Sequence, residues 1–143
     1  MSEIYKLLNT RSKSDLETQS LGKKFSNYIK PGNIFSLSGN LGSGKTTFMK
    51  GVLKGLEYEG EVTSPTYTLI NEYRVNYNII HIDCYREKDI QRWLNIGITD
   101  YFNGDNILFI EWAENIKILL PDYVKSISFE VLSNNKRYIS YNE

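Results

Sequence analysis

The sequence has very little cysteine and no long apolar run. Cys84 is the only cysteine among 143 residues, which excludes an internal disulfide and fits a reducing compartment. No segment approaches the roughly 20 consecutive apolar residues that a membrane-spanning helix needs. The N-terminal stretch MSEIYKLLNTRSKSD lacks the apolar core of a secretion signal. We therefore expect a cytoplasmic protein with no membrane partner, in which Cys84 is a small buried residue and not a catalytic thiol.

The chain also lacks an excess of charge of either sign. It carries 17 basic and 17 acidic residues, so no strong positive field is available for tight binding to nucleic acid by this chain alone. Hydrophobic residues make up 41% of the chain and charged residues 24%, a balance compatible with a packed, soluble core. The length predicts a single domain over residues 1–143, and the sequence shows no linker, internal repeat or low-complexity tract.

One short stretch specifies its own chemistry. Residues 39–46, GNLGSGKT, match the phosphate-binding P-loop pattern G-x-x-x-x-G-K-[ST]. The preceding run 33–38 predicts a short buried strand, and the following run 47–56 predicts a helix, which is the context that the motif requires. The match therefore predicts that a nucleoside triphosphate binds here. A glycine-rich turn that binds nothing is the alternative, and it would require the motif and its context to coincide by accident.

Each position of the predicted loop has a physical task. The glycines allow backbone conformations that a Cβ would block, so that the loop N–H groups converge on phosphates at a helix N-terminus. Lys45 is expected to reach the β- and γ-phosphates, and the Thr46 hydroxyl is expected to bind Mg²⁺. The expected nucleotide-binding residues of this segment are Gly39, Asn40, Leu41, Gly42, Ser43, Gly44, Lys45, Thr46 and Thr47.

Two apolar runs end in an acid. Residues 79–82 (IIHI) lead into Asp83, and residues 107–110 (ILFI) lead into Glu111. Charges at strand ends lie at the sheet edge where open α/β sheets bind ligands, and a P-loop nucleotidase needs a carboxylate there for its Mg²⁺. Spacing does not decide which acid contacts the metal directly. Both acids are therefore candidate metal ligands and, together with Lys45, candidate catalytic residues.

Other polar side chains surround these acids in the sequence. His81 faces the same side as Asp83, and we favour a hydrogen-bonded structural histidine over a role in the pocket. Arg86 either neutralises a phosphate or, slightly favoured, pairs with an acid. The hydroxyl-rich segment 63–67 (TSPTY) is either a switch-type loop at the γ-phosphate or a turn with capping hydroxyls. Trp112 either covers the site or belongs to the core.

The remaining pattern predicts one α/β layer structure with a mixed sheet. Helices are predicted at 15–28, 87–94, 98–102 and 113–120. The first is indicated by the capping-box spacing of Ser14 and Glu17 and by the apolar stripe of Leu21, Phe25 and Ile29. Strands are predicted at 67–75, 79–85, 106–110, 124–132 and 137–141. Together with the P-loop unit, these elements predict a P-loop NTPase-like three-layer fold with a mixed, mainly parallel sheet.

Several motifs occur in an order typical of one family. They are 39–47 (GNLGSGKTT), 63–67 (TSPTY), 81–86 (HIDCYR), 94–97 (LNIG) and 110–114 (IEWAE). Together they resemble the bacterial tRNA threonylcarbamoyladenosine biosynthesis ATPases, the TsaE family, over nearly the whole chain. Two positions depart from the family pattern: Asn40 stands where aspartate is common, and Cys84 stands where a larger apolar residue is common. The segment that joins the two strands between residues 67 and 85 is also short.

The resemblance implies a function and a set of partners. It implies a slow, Mg²⁺-dependent ATPase that binds ATP and ADP and supports formation of threonylcarbamoyladenosine at position 37 of tRNA. It implies that the protein binds the complex of the transferase subunits TsaD and TsaB and resets that complex between turnovers, while tRNA is contacted only indirectly. The alternative is a small-molecule kinase with the same P-loop core, but the sequence shows no lid insertion rich in arginine.

The resemblance also assigns roles to residues. It implies that Lys45 holds phosphates and that Thr46 and Glu111 bind the metal, with Asp83 in support. It further places Thr66 in a switch-like loop and Trp112 in the site lining, and it implies that Thr10 and Arg137 lie near the base or ribose of the nucleotide.

Overall fold

Helices and strands alternate along residues 2–143, the part of the chain that this computed structural model describes. The α-helices are α1 (Glu3–Leu7), α2 (Asp15–Phe25), α3 (Lys45–Gly55) and α4 (Ile90–Ile96). The strands are β1 (Thr10–Ser12), β2 (Ile34–Ser38), β3 (Ile70–Arg74), β4 (Asn78–Asp83), β5 (Asn106–Glu111), β6 (Lys125–Ser133) and β7 (Lys136–Asn142). The 3₁₀ helices cover Ser26–Tyr28, Ile98–Phe102 and Ala113–Leu119.

All of these strands form one sheet in the order β1-β7-β6-β2-β5-β4-β3. The central strands β6, β2, β5 and β4 pair in parallel, whereas β1–β7, β6–β7 and β3–β4 are antiparallel. The expected mixed sheet is therefore observed, with its parallel part confined to the centre. Parallel strands end at a common edge, so the ends of β2, β4 and β5 converge.

The sheet separates two apolar cores. Alternate residues of the central strands point to opposite faces. Phe35 and Phe109 pack with α2 and α3 on one face, and Leu108 and Ile110 pack with α4 and the 3₁₀ helices Ile98–Phe102 and Ala113–Leu119 on the other. The first core is rich in aromatic rings, with Phe25 at 5.1 Å from Phe35 between ring centroids. This arrangement is the expected three-layer structure.

Local signals explain where α2 and α3 begin. The side chain of Ser14 accepts a hydrogen bond from Glu17 N at 3.1 Å, which caps α2. Helix α3 starts directly after Gly44, whose φ of 107° is one that glycine adopts without strain. The first N–H groups of α3 have no acceptor within the helix and are available to a ligand.

Helices α2 and α3 lie unusually close together because glycines form their contact. A Cβ on Gly22 would overlap the Phe48 carbonyl, and a Cβ on Gly51 would overlap the Gln19 carbonyl. This close packing fixes α3, and with it the P-loop, against the first core. Within residues 2–143, no helix combines the length and apolar character that crossing a membrane would take.

Several boundaries differ from the sequence prediction for local reasons. Strand β3 begins at Ile70 and not at residue 67, because Leu69 N donates to Pro65 O at 2.7 Å and closes a turn there. The segment Ala113–Leu119 is a 3₁₀ helix with non-helical dihedral angles at Ile116. Two elements, α1 and β1, were not predicted, and β1 is held by its pairing with β7.

Candidate functional site

A cavity of about 930 Å³ opens at the edge where the central parallel strands end. The P-loop forms one wall, and residues from the ends of β4 and β5 form another. The β6–β7 hairpin contributes Asn135 and Arg137, the first turn of α2 contributes Asp15, and the segment 63–67 also lines the cavity. The volume falls within the range of small-molecule sites.

The P-loop follows β2 and leads into α3. Of its predicted binding residues, the cavity lining contains Asn40, Leu41, Gly42, Gly44, Lys45, Thr46 and Thr47. Gly39 and Ser43 support the loop and are not part of that lining. Gly39 has a φ of 148°, and a Cβ there would lie 2.6 Å from Ser43 Oγ and 2.7 Å from Phe129 O. A side chain at position 39 would therefore push the loop off β6.

Lys45 is buried and points at the acid of β5. Its Nζ donates to Gly39 O at 2.6 Å and lies 3.1 Å from Glu111 Oε1. Lys45 is 8% exposed and Glu111 is 4% exposed, so solvent screens this ion pair little. The lysine expected at a phosphate therefore has a carboxylate as its close partner.

Glu111 contacts a second group with its other oxygen. Glu111 Oε2 lies 2.7 Å from Nε2 of His81, whose side chain is fully buried. Burial of the carboxyl acts to raise its pKa, but the hydrogen bond from His81 and the charge of Lys45 outweigh burial and lower the pKa of Glu111. Glu111 is therefore a carboxylate that is held in place by Lys45 and His81. The expectation of a hydrogen-bonded His81 agrees with this geometry.

Asp83 lies next to Glu111, because the two residues are register partners on the parallel strands β4 and β5. Asp83 Oδ2 accepts from Thr66 Oγ1 at 2.9 Å, and Oδ1 accepts from Tyr85 N at 2.8 Å. The hydroxyl-rich segment 63–67 is thus tied to the acid at the end of β4. Both acids and Thr66 line the cavity.

Trp112 follows Glu111 in a left-handed conformation with φ of 56°. Such a conformation costs a residue other than glycine about 1–2 kcal/mol, and strain of this kind concentrates at functional sites. The indole packs on Tyr85 with ring centroids 5.0 Å apart, and Trp112 lines the cavity. The interpretation of Trp112 as part of the site lining agrees with this placement.

Arg137 lies beside the P-loop, whereas Thr10 lies in the edge strand of the sheet. Arg137 Nη2 donates to Gly42 O at 3.0 Å, and the buried Nε has no partner among residues 2–143. Arg137 therefore presents an unpaired donor beside the P-loop. Thr10 lies in β1, paired with Ile139 at the far edge of the sheet, and it does not line the cavity. The structure does not bring Thr10 to the site.

Some cavity residues were not predicted. They are Asp15, Tyr85 and Asn135. Ser64 and Tyr67 of the candidate switch segment 63–67 also line the cavity, as does Arg86, for which pairing with an acid was slightly favoured. The Arg86 guanidinium lies 4.7 Å from the Tyr67 ring centroid, and no ion pair involves it within residues 2–143. Two of these residues had a sequence signal: Asp15 follows the predicted helix cap at Ser14, and Asn135 belongs to the turn-forming pair Asn134-Asn135.

The donor set fits Mg²⁺ bound together with a nucleotide. Among the described residues, no group of three or more His, Cys, Asp and Glu side chains could hold a metal alone. Mg²⁺ is commonly held by one or two carboxylates together with substrate phosphates. Thr46, Asp83 and Glu111 line the same cavity and match that demand, and the unpaired Arg137 Nε suits an anion.

These features define a class of protein. A loop of the P-loop pattern joins a central parallel strand to a helix, and its lysine pairs with Glu111 at the end of a neighbouring parallel strand, beside Asp83. The fold is that of a P-loop NTPase-like α/β protein.

Comparisons with known proteins identify the family. A family model described as threonylcarbamoyl adenosine biosynthesis protein TsaE matches residues 12–139. Proteins named tRNA threonylcarbamoyladenosine biosynthesis protein TsaE are similar to this chain in Bacillus subtilis (strain 168) and Treponema pallidum (strain Nichols). The first is 35% identical and covers 95% of this chain and 85% of the relative. The second is 34% identical and covers 90% and 96%.

A solved structure agrees with this assignment. The crystal structure of Bacillus subtilis YdiB matches with a TM-score of 0.75 at 32% identity, and the match covers 92% of this chain and 82% of that chain. The chain belongs to the TsaE family.

Proposed function

We propose that this protein is a slow, Mg²⁺-dependent ATPase that supports threonylcarbamoyladenosine formation at position 37 of tRNA in the cytoplasm. Membership of the TsaE family supports the role in tRNA modification. The observation that carries the ATPase proposal is that Lys45, Thr46, Asp83 and Glu111 line one cavity beside the P-loop. These are the residue types that P-loop nucleotidases use for phosphates and Mg²⁺.

The proposed binding step exchanges one charge partner for another. Lys45 is held by Glu111 at 3.1 Å, and a phosphate offers Lys45 a stronger anionic partner. The loop N–H groups and the start of α3 add further attraction for anions. Once Lys45 contacts a phosphate, the Glu111 carboxylate is available on the metal side of the cavity.

The remaining roles follow from what each side chain contacts. Thr46, Glu111 and Asp83 are the proposed Mg²⁺ ligands, directly or through water, and the ion would neutralise phosphate charge. Thr66 connects the segment 63–67 to Asp83 through its hydroxyl. A ligand that binds Asp83 would therefore change the contact that holds this segment. Trp112 and Arg137 are proposed to cover the nucleotide from two sides of the cavity.

We further propose that the protein acts on the TsaD–TsaB transferase complex and meets tRNA only through it. The chain has no net charge to attract a polyanion by itself, with 17 basic and 17 acidic residues. The proposed cycle of nucleotide binding and hydrolysis would sustain turnover of the transferase, whereas this chain would not transfer the threonylcarbamoyl group itself.

Lys45→Ala tests the proposal most directly. Loss of a charge-assisted phosphate contact is expected to weaken ADP and ATP binding by about 10- to 100-fold. Affinity is measured by calorimetry, and phosphate release is measured with and without purified TsaD, TsaB and tRNA. The wild type should hydrolyse ATP slowly alone and faster with the complex, and Lys45→Ala should do neither.

Lys50→Ala is the matched control, because Lys50 is an exposed lysine on the same helix α3. It should bind and hydrolyse like the wild type. Circular dichroism checks whether both variants are folded. Equal ATP affinity in folded Lys45→Ala and wild type would contradict the proposed site. Transfer of phosphate to a small-molecule acceptor in place of hydrolysis would favour a kinase.

A further inference from the structure

We infer that His81 is a positioning residue, which holds the Glu111 carboxylate in place when Lys45 leaves it for a phosphate. The inference rests on the proposed function and adds a role for a residue outside the expected set of ligands. It is carried by three observations: the two-sided contact of Glu111, the complete burial of His81 and the way each backbone is anchored.

Glu111 has one oxygen for each partner. Its Oε1 faces Lys45 Nζ at 3.1 Å, and its Oε2 faces His81 Nε2 at 2.7 Å. The two contacts therefore do not compete for the same atom. When Lys45 turns to a phosphate, the contact with His81 remains and Oε1 becomes free. A carboxylate held by one oxygen keeps its direction and offers the other oxygen to a ligand.

The hydrogen bond has a defined direction. Nδ1 of His81 is buried and has no partner among residues 2–143. An unpaired buried N–H is costly, and the contact made by one ring nitrogen decides which nitrogen carries the proton. The neutral ring with its proton on Nε2 therefore fits the surroundings, and Nε2 donates to the Glu111 carboxylate.

The histidine itself cannot follow a moving carboxylate. His81 is 0% exposed and lies in the interior strand β4, between Asn71 of β3 and Phe109 of β5. Glu111 is the last residue of β5, where its backbone is registered with Asp83 and Leu37 on both sides. Sheet pairing therefore fixes both ends of the hydrogen bond, and the carboxylate direction is set before a nucleotide arrives.

Without His81, Glu111 would keep Lys45 as its only close partner. The carboxylate could then follow the lysine or rotate within the cavity, and the proposed metal side would lose a fixed ligand. A purely structural histidine predicts something else: replacement would lower stability and leave the ligand properties of Glu111 unchanged. The two roles are separable by how much Mg²⁺ strengthens nucleotide binding.

The test compares three replacements of His81. His81→Leu removes the donor, His81→Gln keeps an amide N–H at about the reach of Nε2, and His81→Asn keeps the amide but is too short. ADP affinity is measured by calorimetry with and without Mg²⁺, and kcat and KM are measured for ATP. Ile79→Val is the control for general core damage, since Ile79 is buried on the same face of β4.

We expect all variants to bind ADP without Mg²⁺ within about threefold of wild type. The strengthening by Mg²⁺ should fall about tenfold or more in His81→Leu and His81→Asn, the range found when a group behind a metal ligand is removed. In these two variants kcat should fall while KM changes little. His81→Gln should recover most of both properties, and Ile79→Val should match the wild type.

Two results would overturn the inference: wild-type Mg²⁺ strengthening in folded His81→Leu, or equal loss in His81→Gln and His81→Asn. If His81→Leu does not fold, the comparison of Gln with Asn decides. If none of the three folds, His81 serves folding and the inference is wrong. Failure of the wild type to bind ADP, or to bind it better with Mg²⁺, would instead contradict the proposed function.

Discussion

At the scale of single residues, burial sets the reactivity of Cys84. Burial, followed by the negative charges of Asp83, Glu114 and Glu111, raises the pKa of this thiol to about 12. The thiolate is the reactive form, and it is scarce at neutral pH even though the residue lies between two site residues in sequence. The neighbouring acids therefore protect the thiol instead of activating it.

We predict that a chromogenic disulfide reagent labels Cys84 far more slowly in native protein than in unfolded protein at pH 8. The physical reason is that both access and the thiolate form require opening of the core around Cys84. Absorbance after mixing, with and without urea, measures the two rates. Cys84→Ser is the control and should show no labelling in either condition. Rapid labelling of native protein would contradict a buried, protonated thiol.

Among the site residues, those with a local sequence signal were predictable. The glycine pattern gave Lys45 and Thr46, and the apolar runs gave Asp83 and Glu111 at neighbouring strand ends. The partners of Glu111 were not predictable, because Lys45 and His81 reach it from positions 66 and 30 residues away in sequence. The parallel pairing of β5 with β4 brings His81 to Glu111, and the pairing of β5 with β2, which leads into the P-loop and α3, brings Lys45 there.

At the scale of elements, the glycine contact between α2 and α3 determines where the P-loop helix lies. Gly22 and Gly51 face backbone carbonyls of the partner helix, and backbone atoms cannot rotate away as a side chain can. Overpacking of this kind costs about 1–3 kcal/mol, while alanine gains about 1 kcal/mol over glycine in a helix. Because the overlap at Gly22 is with backbone atoms, its steric cost belongs to the upper part of this range, about 2–3 kcal/mol, and exceeds the propensity gain.

Gly22→Ala is expected to lower the free energy of unfolding by about 1–2 kcal/mol, as the difference between these two effects. Urea unfolding followed by circular dichroism measures the change. Ser20→Ala, an exposed position on the same helix α2, should stay within about 0.5 kcal/mol of wild type. An increase in stability for Gly22→Ala would show that the helices can separate without cost.

Elements with strong periodicity were predictable, and those held by distant partners were not. The cap at Ser14 and the apolar stripe indicated α2, and apolar runs indicated β2, β4 and β5. The three-residue strand β1 has no pattern of its own and exists because β7 pairs with it. The later start of β3 depends on a turn that Leu69 closes in a left-handed conformation.

At the scale of the whole molecule, the lowered pKa of Glu111 links stability to pH. A carboxyl whose pKa is lower in the folded state than in the unfolded state binds its proton less readily when folded. Its contribution to stability is therefore complete above the ordinary value of 4.5 and is lost as pH falls through the lower folded value. The loss must appear on the acid side of 4.5.

We predict that wild type and Glu111→Gln differ in unfolding free energy by a constant amount from pH 7 to pH 5. Below pH 4.5 the wild type should lose stability faster, because it has the Glu111 carboxylate, which binds a proton more readily in the unfolded state, whereas Glu111→Gln lacks this group. Urea titrations at a series of pH values, without nucleotide, measure the difference. Parallel curves down to pH 3 would show that the Glu111 carboxylate has no advantage in the folded protein.

The order of strands also affects when the cavity can form during synthesis of the protein. Arg137 contacts Gly42 across 95 positions of sequence, and Tyr141 N donates to Asn9 Oδ1 across 132 positions. Contacts of such long range form late, because loop closure must precede them. During synthesis on the ribosome the P-loop emerges before the β6–β7 hairpin that carries Arg137. A nascent chain therefore cannot complete the cavity until that hairpin has also left the ribosome.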